Sequence, residues 1–341
     1  MAETQNTGGV TKIVVIADEN DMRLDRWFKE HYPDVTFGML QKLLRKGHIR
    51  LDGKRAKSNT RIATDQIVRV PPLNLETRIY DKKQQTELSQ DDIYYMQNMV
   101  LHMDDEIIVL NKPSGLAVQG GSNTNRHIDG MLDALKYDLT EKPKLVHRLD
   151  KDTSGLLIIA RTRVAAQKLT KAFQTKTTEK YYWAVVKSAP KLREGKINMP
   201  LLKLGKKGHE KVMAAPTGEK PHPDAKSAIT LFATVSTVPA LASFMVLRPI
   251  TGRTHQLRVH MAEMGNVIIG DGKYGGTEAH IGGEISRKLH LHARHLKIPH
   301  PSTGEIFEIT APIQSHMKNT FHSLGFDEEA GDLVMERFED R

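Results

Sequence analysis

Asp150 is the residue of this sequence whose surroundings are best suited to chemistry. It lies in the run HRLDKDTSGLL at 147–157, just before an apolar segment at 156–160. The polar residues 153–155 favour a tight turn, and a buried strand after them would anchor that turn. A carboxylate held there could act as a nucleophile or as an anionic partner in catalysis. An aspartate that only caps a turn would give the same local pattern.

Three further segments favour the catalytic interpretation, because they occur in a fixed order around Asp150. They are NKPSGLAV at 111–118, EKYYWA at 179–184 and PITGRTHQLRVH at 249–260. Together with the Asp150 run they resemble the signature motifs of the large-subunit-type (RluA-like) RNA pseudouridine synthases. The resemblance covers about residues 93–315. Four ordered motifs are far more specific than one.

The resemblance implies an isomerisation of uridine, in which the base is detached from ribose, rotated and rejoined through carbon. That reaction needs a nucleophile or electrostatic partner near the anomeric carbon, a slot for the base and a proton acceptor. The target nucleotide, normally stacked, must also be extruded from the RNA. No redox change, phosphate or metal is required, so we expect no cofactor and no metal.

By the same resemblance, Asp150 is the catalytic carboxylate and two further residues complete the catalytic set. Arg253 corresponds to an arginine partner, expected to hold Asp150 bidentately and keep it ionised. Tyr182, rather than Tyr181, corresponds to a tyrosine expected to stack on the uracil and to take part in a late proton transfer. An inactive relative would be free to lose these residues, so their presence favours an enzyme.

The resemblance also implies four residues that contact or support the substrate. Leu257 is expected to form the apolar floor opposite the tyrosine, and Lys112 is expected to buttress the pocket. Arg148 corresponds to a residue that fills the space vacated by the extruded base. His147, next to it, is expected in the substrate-binding set.

The first part of the chain is predicted to be a compact αβ module with a basic face. Residues 24–28 place apolar side chains on one helical face, and Thr36 is predicted to cap a second helix that Gly47 ends. The segment HIRLDG at 48–53 predicts a strand entering a hairpin turn. Residues 22–72 contain 12 Lys/Arg and 5 Asp/Glu, within a chain of net charge +9. This asymmetry is typical of a phosphate-backbone binder.

Three stretches of this module, RLDRWFKEHYP, LQKLLRKGHIRLDGKR and DQIVRVP, resemble the S-four-type RNA-binding domain. In that family the second helix and the following turn present basic residues to RNA. The corresponding positions here are Lys42, Arg45, Lys46, Arg50, Lys54 and Arg55. Basic runs also bind other polyanions, so charge alone would not identify the partner. With the resemblance, RNA is the expected partner.

A histidine-rich segment at 289–300, LHLHARHLKIPH, is the other pattern that could do chemistry. His290 and His292 share one face of a strand, which is a spacing found in metal sites. No cysteine or nearby pair of carboxylates completes a ligand set, and the segment resembles a structural strand of the same family. We interpret these histidines as structural, and Trp27 and Trp183 as core residues.

The fold class expected is α+β, with a small N-terminal αβ domain and a catalytic domain built on a mixed, mainly antiparallel sheet. The expected order is an RNA-binding domain at 12–73, a linker at 74–92, a catalytic domain at 93–325 and an acidic tail at 326–341. In the catalytic domain, buried strands are expected at 107–110, 156–160, 183–186 and 243–247. A helix over 164–175 and a surface loop at 206–226 complete this prediction.

Composition excludes several other classes of protein. The apolar fraction of 39% and charged fraction of 27% are those of a folded globular protein. The chain has no cysteine, which removes disulfides, thiolate nucleophiles and cysteine-based metal sites. It has no membrane-length apolar run and no secretory signal pattern. We expect a cytoplasmic monomer with no obligate protein partner.

The substrate expected is large-subunit ribosomal RNA, because the N-terminal module and NKPSGLAVQGGS most resemble the branch that modifies it. A transfer-RNA-directed relative would share the catalytic motifs. A non-catalytic RNA-binding assembly factor would share the basic module, although the intact Asp150, Tyr182 and Arg253 argue against it.

Overall fold

The computed structural model describes residues 4–7, 9–73, 88–120, 126–175, 177–205, 211–216 and 222–338. The chain divides into two compact units, Met1–Glu87 and Leu88–Arg341. In the described ranges, no helix combines the length and apolar character needed to cross a bilayer.

The first unit packs two helices against one antiparallel sheet. Its helices are α1 (Leu24–His31) and α2 (Phe37–Arg45). Its strands are β1 (Thr4–Thr7), β2 (Val10–Val14), β3 (Arg50–Leu51), β4 (Lys54–Arg55) and β5 (Ile67–Val70). The strand order is β1-β2-β5-β3-β4. Trp27 and Phe28 of α1 meet Leu40 and Leu44 of α2 in the core of this unit.

The local predictions for this unit are confirmed. The Thr36 hydroxyl accepts from the Met39 amide at 3.3 Å and so caps α2, and Gly47 follows the helix with a φ of 73°. Asp52 and Gly53 both have positive φ, 49° and 75°, as a tight hairpin turn between β3 and β4 requires. The predicted start at residue 12 was wrong, because β1 and β2 begin before it and pair within the sheet.

The second unit carries most of the secondary structure. Its strands are β6 (Val100–Met103), β7 (Ile107–Lys112), β8 (Lys144–Leu145), β9 (Ser154–Ala160), β10 (Glu179–Lys187), β11 (Glu194–Asn198), β12 (Leu201–Leu204), β13 (Lys211–Ala214), β14 (Ile229–Val238), β15 (Ala242–Pro249), β16 (Leu291–Pro299) and β17 (Ile306–Thr310). Its helices are α3 (Gln90–Gln97), α4 (Ile128–Met131), α5 (Arg163–Gln174), α6 (Gln256–Glu263), α7 (Gly272–Gly275), α8 (Ser315–Leu324) and α9 (Glu328–Arg337). Among the described residues, 3-10 turns lie at Leu132–Leu135 and Gly276–Ala279 in this unit and at Ala17–Glu19 in the first.

One large sheet organises this unit, with the order β11-β14-β15-β10-β16-β9-β7-β6. β17 pairs with β16 and β8 pairs with β9 at the sides of this path. β9 and β16 pair in parallel, whereas the other described pairs of the sheet are antiparallel. The predicted α+β class with a mixed, mainly antiparallel sheet is confirmed.

The central strand β10 separates two packed layers, because its successive side chains point to opposite faces. Tyr181 and Trp183 are fully buried in a cluster that includes Phe321 of α8. Ala184 faces the other way, into a cluster that includes Leu257 of α6, with Tyr182 packed at its margin. The interpretation of Trp27 and Trp183 as core residues is confirmed, since both are fully buried.

The predicted acidic tail at 326–341 was wrong for its described part, which forms α9 and packs into the second unit. Met335 and Phe338 are buried in the same cluster as Trp183. A Cβ at Gly331 would lie 2.7 Å from the Trp183 ring, so the helix packs against that ring closely. Arg294 of β16 also forms ion pairs with this helix, at 2.8 Å to Asp332.

Two other boundaries also differ from the sequence prediction. Of the predicted linker 74–92, residues 74–87 lie outside the described residues, and the rest includes the start of α3, capped by Ser89. The predicted loop 206–226 contains β13, which pairs with β12. A strand of four residues, such as β13, is too short to show a periodicity in the sequence.

Candidate active site

Asp150 lies in a tight turn that leads directly into β9. The Thr153 amide donates to the Asp150 carbonyl at 3.2 Å and closes this turn. β9 is buried along its whole length, so the turn is attached to a rigid strand. The Asp150 side chain is 20% exposed, which leaves the carboxylate accessible while its backbone is fixed.

Gly155 sets the point at which β9 approaches β16. Its φ is +103°, and a Cβ there would lie 2.3 Å from the carbonyl oxygen of Ala293. That residue is its partner in the parallel pairing of the two strands. Only glycine combines this φ with so close an approach. The glycine of the Asp150 motif is therefore needed to place the turn.

Lys112, at the end of β7, is a fully buried amine that supports the turn from within the protein. Its Nζ donates to the carbonyl oxygens of Pro113, Leu116 and Lys151, each at 2.9 Å. Three acceptors match the three N–H groups of an ammonium. Burial lowers the pKa of Lys112 to about 7, and nearby carboxylates partly offset that effect.

Two neighbours of Lys112 in the upstream motif hold the same turn. The Ser114 hydroxyl donates to the Asp152 carbonyl at 2.7 Å, and the Gly115 amide donates to the Lys151 carbonyl at 3.0 Å. The segment 111–118 thus acts on the two residues that follow Asp150. Ser114 and Gly115 were not predicted as functional residues, although both lie inside the segment NKPSGLAV at 111–118.

We expect Lys112→Met to lower the free energy of unfolding by about 2–4 kcal/mol, because three buried carbonyls lose a charged donor. Methionine fills a similar volume without N–H groups, so the effect isolates the hydrogen bonds. Urea titration measures it, with Lys318→Met on the exposed face of α8 as control, expected within about 0.5 kcal/mol of wild type. A wild-type urea midpoint for Lys112→Met would contradict the supporting role.

Asp150 faces a pocket of about 550 Å³. The pocket lies between the Asp150 turn, the start of β10, the end of α5 and the segment 249–258. Six of the seven residues predicted to act in catalysis or substrate binding line it: Asp150, Arg253, Tyr182, Arg148, Leu257 and His147. Lys112, the seventh, lies behind the turn.

A β-bulge between Tyr181 and Tyr182, in the pairing of β10 with β16, separates the two tyrosines. Tyr182 lines the pocket, whereas Tyr181 is fully buried and its hydroxyl donates to Glu179 at 2.8 Å. Bulges commonly reorient side chains next to active sites. Burial, and to a smaller extent the charge of Asp150, raise the pKa of Tyr182 well above its usual value. The phenol is therefore protonated.

The other predicted substrate residues differ in exposure. Leu257, in the first turn of α6, is buried and presents an apolar wall to the pocket. The His147 Nε2 accepts from the Ile158 amide at 2.9 Å, and its ring stacks on Phe173 with centroids 4.4 Å apart. Burial lowers the pKa of His147 to about 3, so the ring is neutral. Arg148 is exposed at the mouth of the pocket.

The predicted bidentate pair between Arg253 and Asp150 was wrong for this structure. Arg253 Nε donates to the Ser227 carbonyl at 3.1 Å, and its backbone amide donates to Gln256 at 3.1 Å. The bond to Ser227 directs the side chain toward the segment just before β14. Among the described basic side chains, the one with a nitrogen within 4.0 Å of the Asp150 carboxylate is His255, at 3.8 Å.

A buried ion pair that was not predicted from the sequence lies at the edge of the pocket. Arg258 of α6 donates to both carboxylate oxygens of Asp271, at 2.8 Å and 2.7 Å. Burial lowers the pKa of Arg258, but its hydrogen bond to Asp271 and the charge of that residue outweigh this and raise the pKa. Thirteen residues separate the partners, and no local pattern signals such a pairing.

His290, just before β16, and His292, within it, have protein partners at their ring nitrogens. His290 is hydrogen-bonded to Thr320 and to the Lys288 carbonyl, both at 2.8 Å, and His292 is hydrogen-bonded to Ser154 at 2.9 Å. Burial lowers the pKa of His290 to about 4 and that of His292 to about 3. These contacts support the structural interpretation of His290 and His292. Within the described ranges, no group of three or more His, Cys, Asp or Glu residues could hold a metal ion.

We expect transition-metal chelators to leave turnover unchanged, because the reaction needs no Lewis acid and these histidines are engaged. The test compares ortho-phenanthroline with its non-chelating meta isomer at constant Mg²⁺, which keeps the RNA folded. The rates with the two isomers are expected to agree within about twofold, which is a smaller change than the loss of one hydrogen bond would cause. Inactivation by the ortho isomer alone, reversed by added zinc, would contradict our interpretation of the histidines.

In the first unit, all six predicted RNA-binding residues are exposed: Lys42, Arg45, Lys46, Arg50, Lys54 and Arg55. Arg50 donates to the carbonyls of Gly47 at 3.2 Å and Gly53 at 2.9 Å. It thereby ties the end of α2 to the β3–β4 turn, and the basic residues of both lie on one surface. Phe37, at the start of α2, is 61% exposed and was not singled out from the sequence.

Known proteins resemble this chain over most of its length. The family model described as RNA pseudouridylate synthase matches residues 106–263. Ribosomal large subunit pseudouridine synthase C of Vibrio vulnificus is 34% identical over 321 residues, covering 92% of this chain and 97% of that protein. The enzyme of the same name from Escherichia coli K12 is 33% identical over 323 residues, covering 93% and 98%.

A solved structure supports the same assignment. Human RNA Pseudouridylate Synthase Domain Containing 4 is 27% identical and superposes with a TM-score of 0.58. The match covers 68% of this chain and 95% of the human chain. The chain therefore belongs to the RNA pseudouridylate synthase family, and it is a pseudouridine synthase, an isomerase of RNA. The recognition of the family from four sequence motifs is confirmed.

Proposed function

We propose that this protein isomerises specific uridines of large-subunit ribosomal RNA and that Asp150 is its catalytic carboxylate. The observation that carries the proposal is the position of Asp150, which faces a pocket lined on other sides by Tyr182 and Leu257. The names of the relatives from Vibrio vulnificus and Escherichia coli supply the substrate class. The exposed basic residues of the first unit supply a surface suited to phosphates.

The pocket suits a uracil that has left the base stack. Extrusion of one nucleotide costs a few kcal/mol, and stacking on Tyr182 with apolar contact to Leu257 would recover part of that cost. Arg148, exposed at the mouth, is suited to occupy the space left in the RNA. His147 is neutral and fixed by Ile158, so it forms part of the wall without adding charge.

The reaction is balanced within the uridine. The bond from C1′ to N1 breaks, the base turns, and a bond from C1′ to C5 forms. The proton on C5 then leaves, and N1 gains a proton. An ionised Asp150 would attack either the anomeric carbon or the uracil ring. Both modes of attack require the carboxylate form. Because the phenol of Tyr182 is protonated, we assign Tyr182 to stacking on the base and to the relay of a proton through hydrogen bonds.

Arg253 enters the proposal as a group that contacts substrate. It lines the same pocket as Asp150, and its Nε is fixed by the Ser227 carbonyl. A planar guanidinium held in this way suits the phosphate or the carbonyl oxygens of the incoming nucleotide.

Mapping pseudouridines tests the proposal. RNA is compared from cells that lack the protein and from the same cells carrying either the wild type or Asp150→Asn. We expect certain pseudouridines of large-subunit ribosomal RNA to disappear in the deletion and to return with the wild type alone. Loss of transfer-RNA sites only would overturn the substrate, and restoration by Asp150→Asn would overturn the catalytic residue.

A further inference from the structure

His255 adopts a backbone conformation that few side chains accept. It precedes α6 with φ 54° and ψ 17°, in the left-handed region. In a residue other than glycine such a conformation costs about 1–3 kcal/mol, and residues of this kind cluster at active sites. His255 lines the pocket beside Asp150.

This conformation directs the two ring nitrogens of His255 to two different partners. Nδ1 lies 2.6 Å from the Tyr274 hydroxyl, and Nε2 lies 3.8 Å from Oδ2 of Asp150. A second cavity, of about 640 Å³, is also lined by Asp150 and His255. The two side chains therefore meet between two cavities, and they are only 17% and 20% exposed.

Tyr274 is itself fixed by the buried pair of Arg258 and Asp271. Its backbone amide donates to Asp271 at 3.2 Å, and the Arg258 guanidinium lies 5.2 Å from its ring centroid. Burial raises the pKa of Tyr274 to about 12, an effect that Arg258 and a hydrogen bond from the Val212 amide partly offset. The phenol is therefore protonated at neutral pH and has a proton to donate.

The contacts of Tyr274 indicate which nitrogen of His255 carries the proton. The protonated Tyr274 hydroxyl lies 2.6 Å from Nδ1 of His255, and this nitrogen is the acceptor that the described contacts offer to its proton. Burial, as the largest effect, lowers the pKa of His255 despite the opposing charge of Asp150. A neutral ring that accepts at Nδ1 carries its proton at Nε2, and Nε2 faces Asp150.

We propose that His255 is a positioning residue for Asp150, with its Nε2–H orienting the carboxylate and Tyr274 fixing the required tautomer. This inference rests on the proposed catalytic role of Asp150. A neutral donor orients a carboxylate without the strong, short bonds of an arginine pair, so Asp150 keeps its reactivity. The separation of 3.8 Å exceeds hydrogen-bond length, and rotation of the carboxylate in the substrate complex closes it.

Two amide substitutions separate this role from a purely structural one. The side-chain nitrogen of glutamine reaches about as far as Nε2, whereas that of asparagine reaches only as far as Nδ1. Asparagine, however, accepts the left-handed backbone more readily. We expect His255→Gln to keep kcat within about tenfold of wild type and His255→Asn to lose about a hundredfold, with little change in KM. The opposite order would show a backbone role and overturn the proposal.

The tautomer is read directly by NMR of the ¹⁵N-labelled full-length protein, with the His255 signals assigned by their loss in His255→Gln. We expect the wild type to show a neutral ring with its proton on Nε2. Tyr274→Phe is expected to populate the other tautomer and to lower kcat about tenfold, the loss of one hydrogen bond. A charged ring, or a proton on Nδ1 in the wild type, would overturn the proposal.

Asp150→Asn, assayed beside these variants, separates the two levels of inference. Wild-type activity of Asp150→Asn would defeat the proposed function itself. An inactive Asp150→Asn together with fully active His255→Asn and Tyr274→Phe would defeat only the positioning role.

Discussion

Asp150→Asn is expected to abolish pseudouridine formation while leaving the fold intact. The amide has nearly the shape of the carboxylate but can neither act as a nucleophile nor carry the negative charge. We expect kcat to fall by a factor on the order of a thousand or more, as when one member of a catalytic unit is removed. Single-turnover assays on a large-subunit RNA fragment measure the loss, and filter binding is expected to show RNA affinity close to wild type.

The same chemical change at an exposed site provides the control for this variant. Asp105 lies in the turn before β7 with an exposed side chain, and Asp105→Asn is expected to retain full activity. Because the Asp150 side chain is partly exposed, both variants are expected to melt within about 2 °C of wild type. A wild-type rate for purified Asp150→Asn would remove Asp150 from the mechanism.

The first unit was predictable in detail because its signals are local. The Thr36 cap acts on an amide three residues away, and the Asp52-Gly53 turn is specified by two adjacent residues. Such signals work within one turn of chain and do not depend on tertiary packing. The start of the unit was predicted too late, since β2 joins the sheet by pairing with β5, a partner distant in sequence, and β1 pairs with β2.

The residues of the pocket were predictable, whereas their contacts were not. The motifs identified which side chains meet, because each motif lies at one end of a strand, or at the start of a helix, near the Asp150 turn. They did not reveal that Arg253 turns to Ser227 or that His255 approaches Asp150. These contacts depend on the left-handed backbone of His255 before α6. They also depend on the contact of its ring with Tyr274, nineteen residues further along the chain.

The C-terminal segment shows why composition can mislead. Its acidic residues suggested a solvated tail, yet Asp332 and Glu328 neutralise Arg294, which lies 4.0 Å from the centre of the Trp183 ring. The apolar residues Met335 and Phe338 complete that cluster. With few apolar positions, the helix offers weak periodicity, and its partners become known only once the sheet is formed.

Replacing Lys42, Arg45 and Lys46 of α2 by glutamine is expected to weaken RNA binding and to flatten its dependence on salt. Each phosphate contact steepens the fall of log affinity with log salt by about 0.7–0.9 units. Loss of three contacts therefore lowers the slope by about two units. Because phosphate contacts position the RNA without reading the base, KM is expected to rise more than kcat falls at saturating RNA.

A matched triple variant controls for net charge in this experiment. Lys191, Arg193 and Lys196 have the same side-chain types, are exposed and lie near or on β11 in the second unit. Their replacement by glutamine removes the same charge, so any general electrostatic effect is common to both variants. Titrations across a salt series are expected to give slopes that differ by about two units between the α2 triple and wild type, and by less than about one unit for the control. Superimposable slopes for the α2 triple and wild type would mean that this basic surface does not touch RNA.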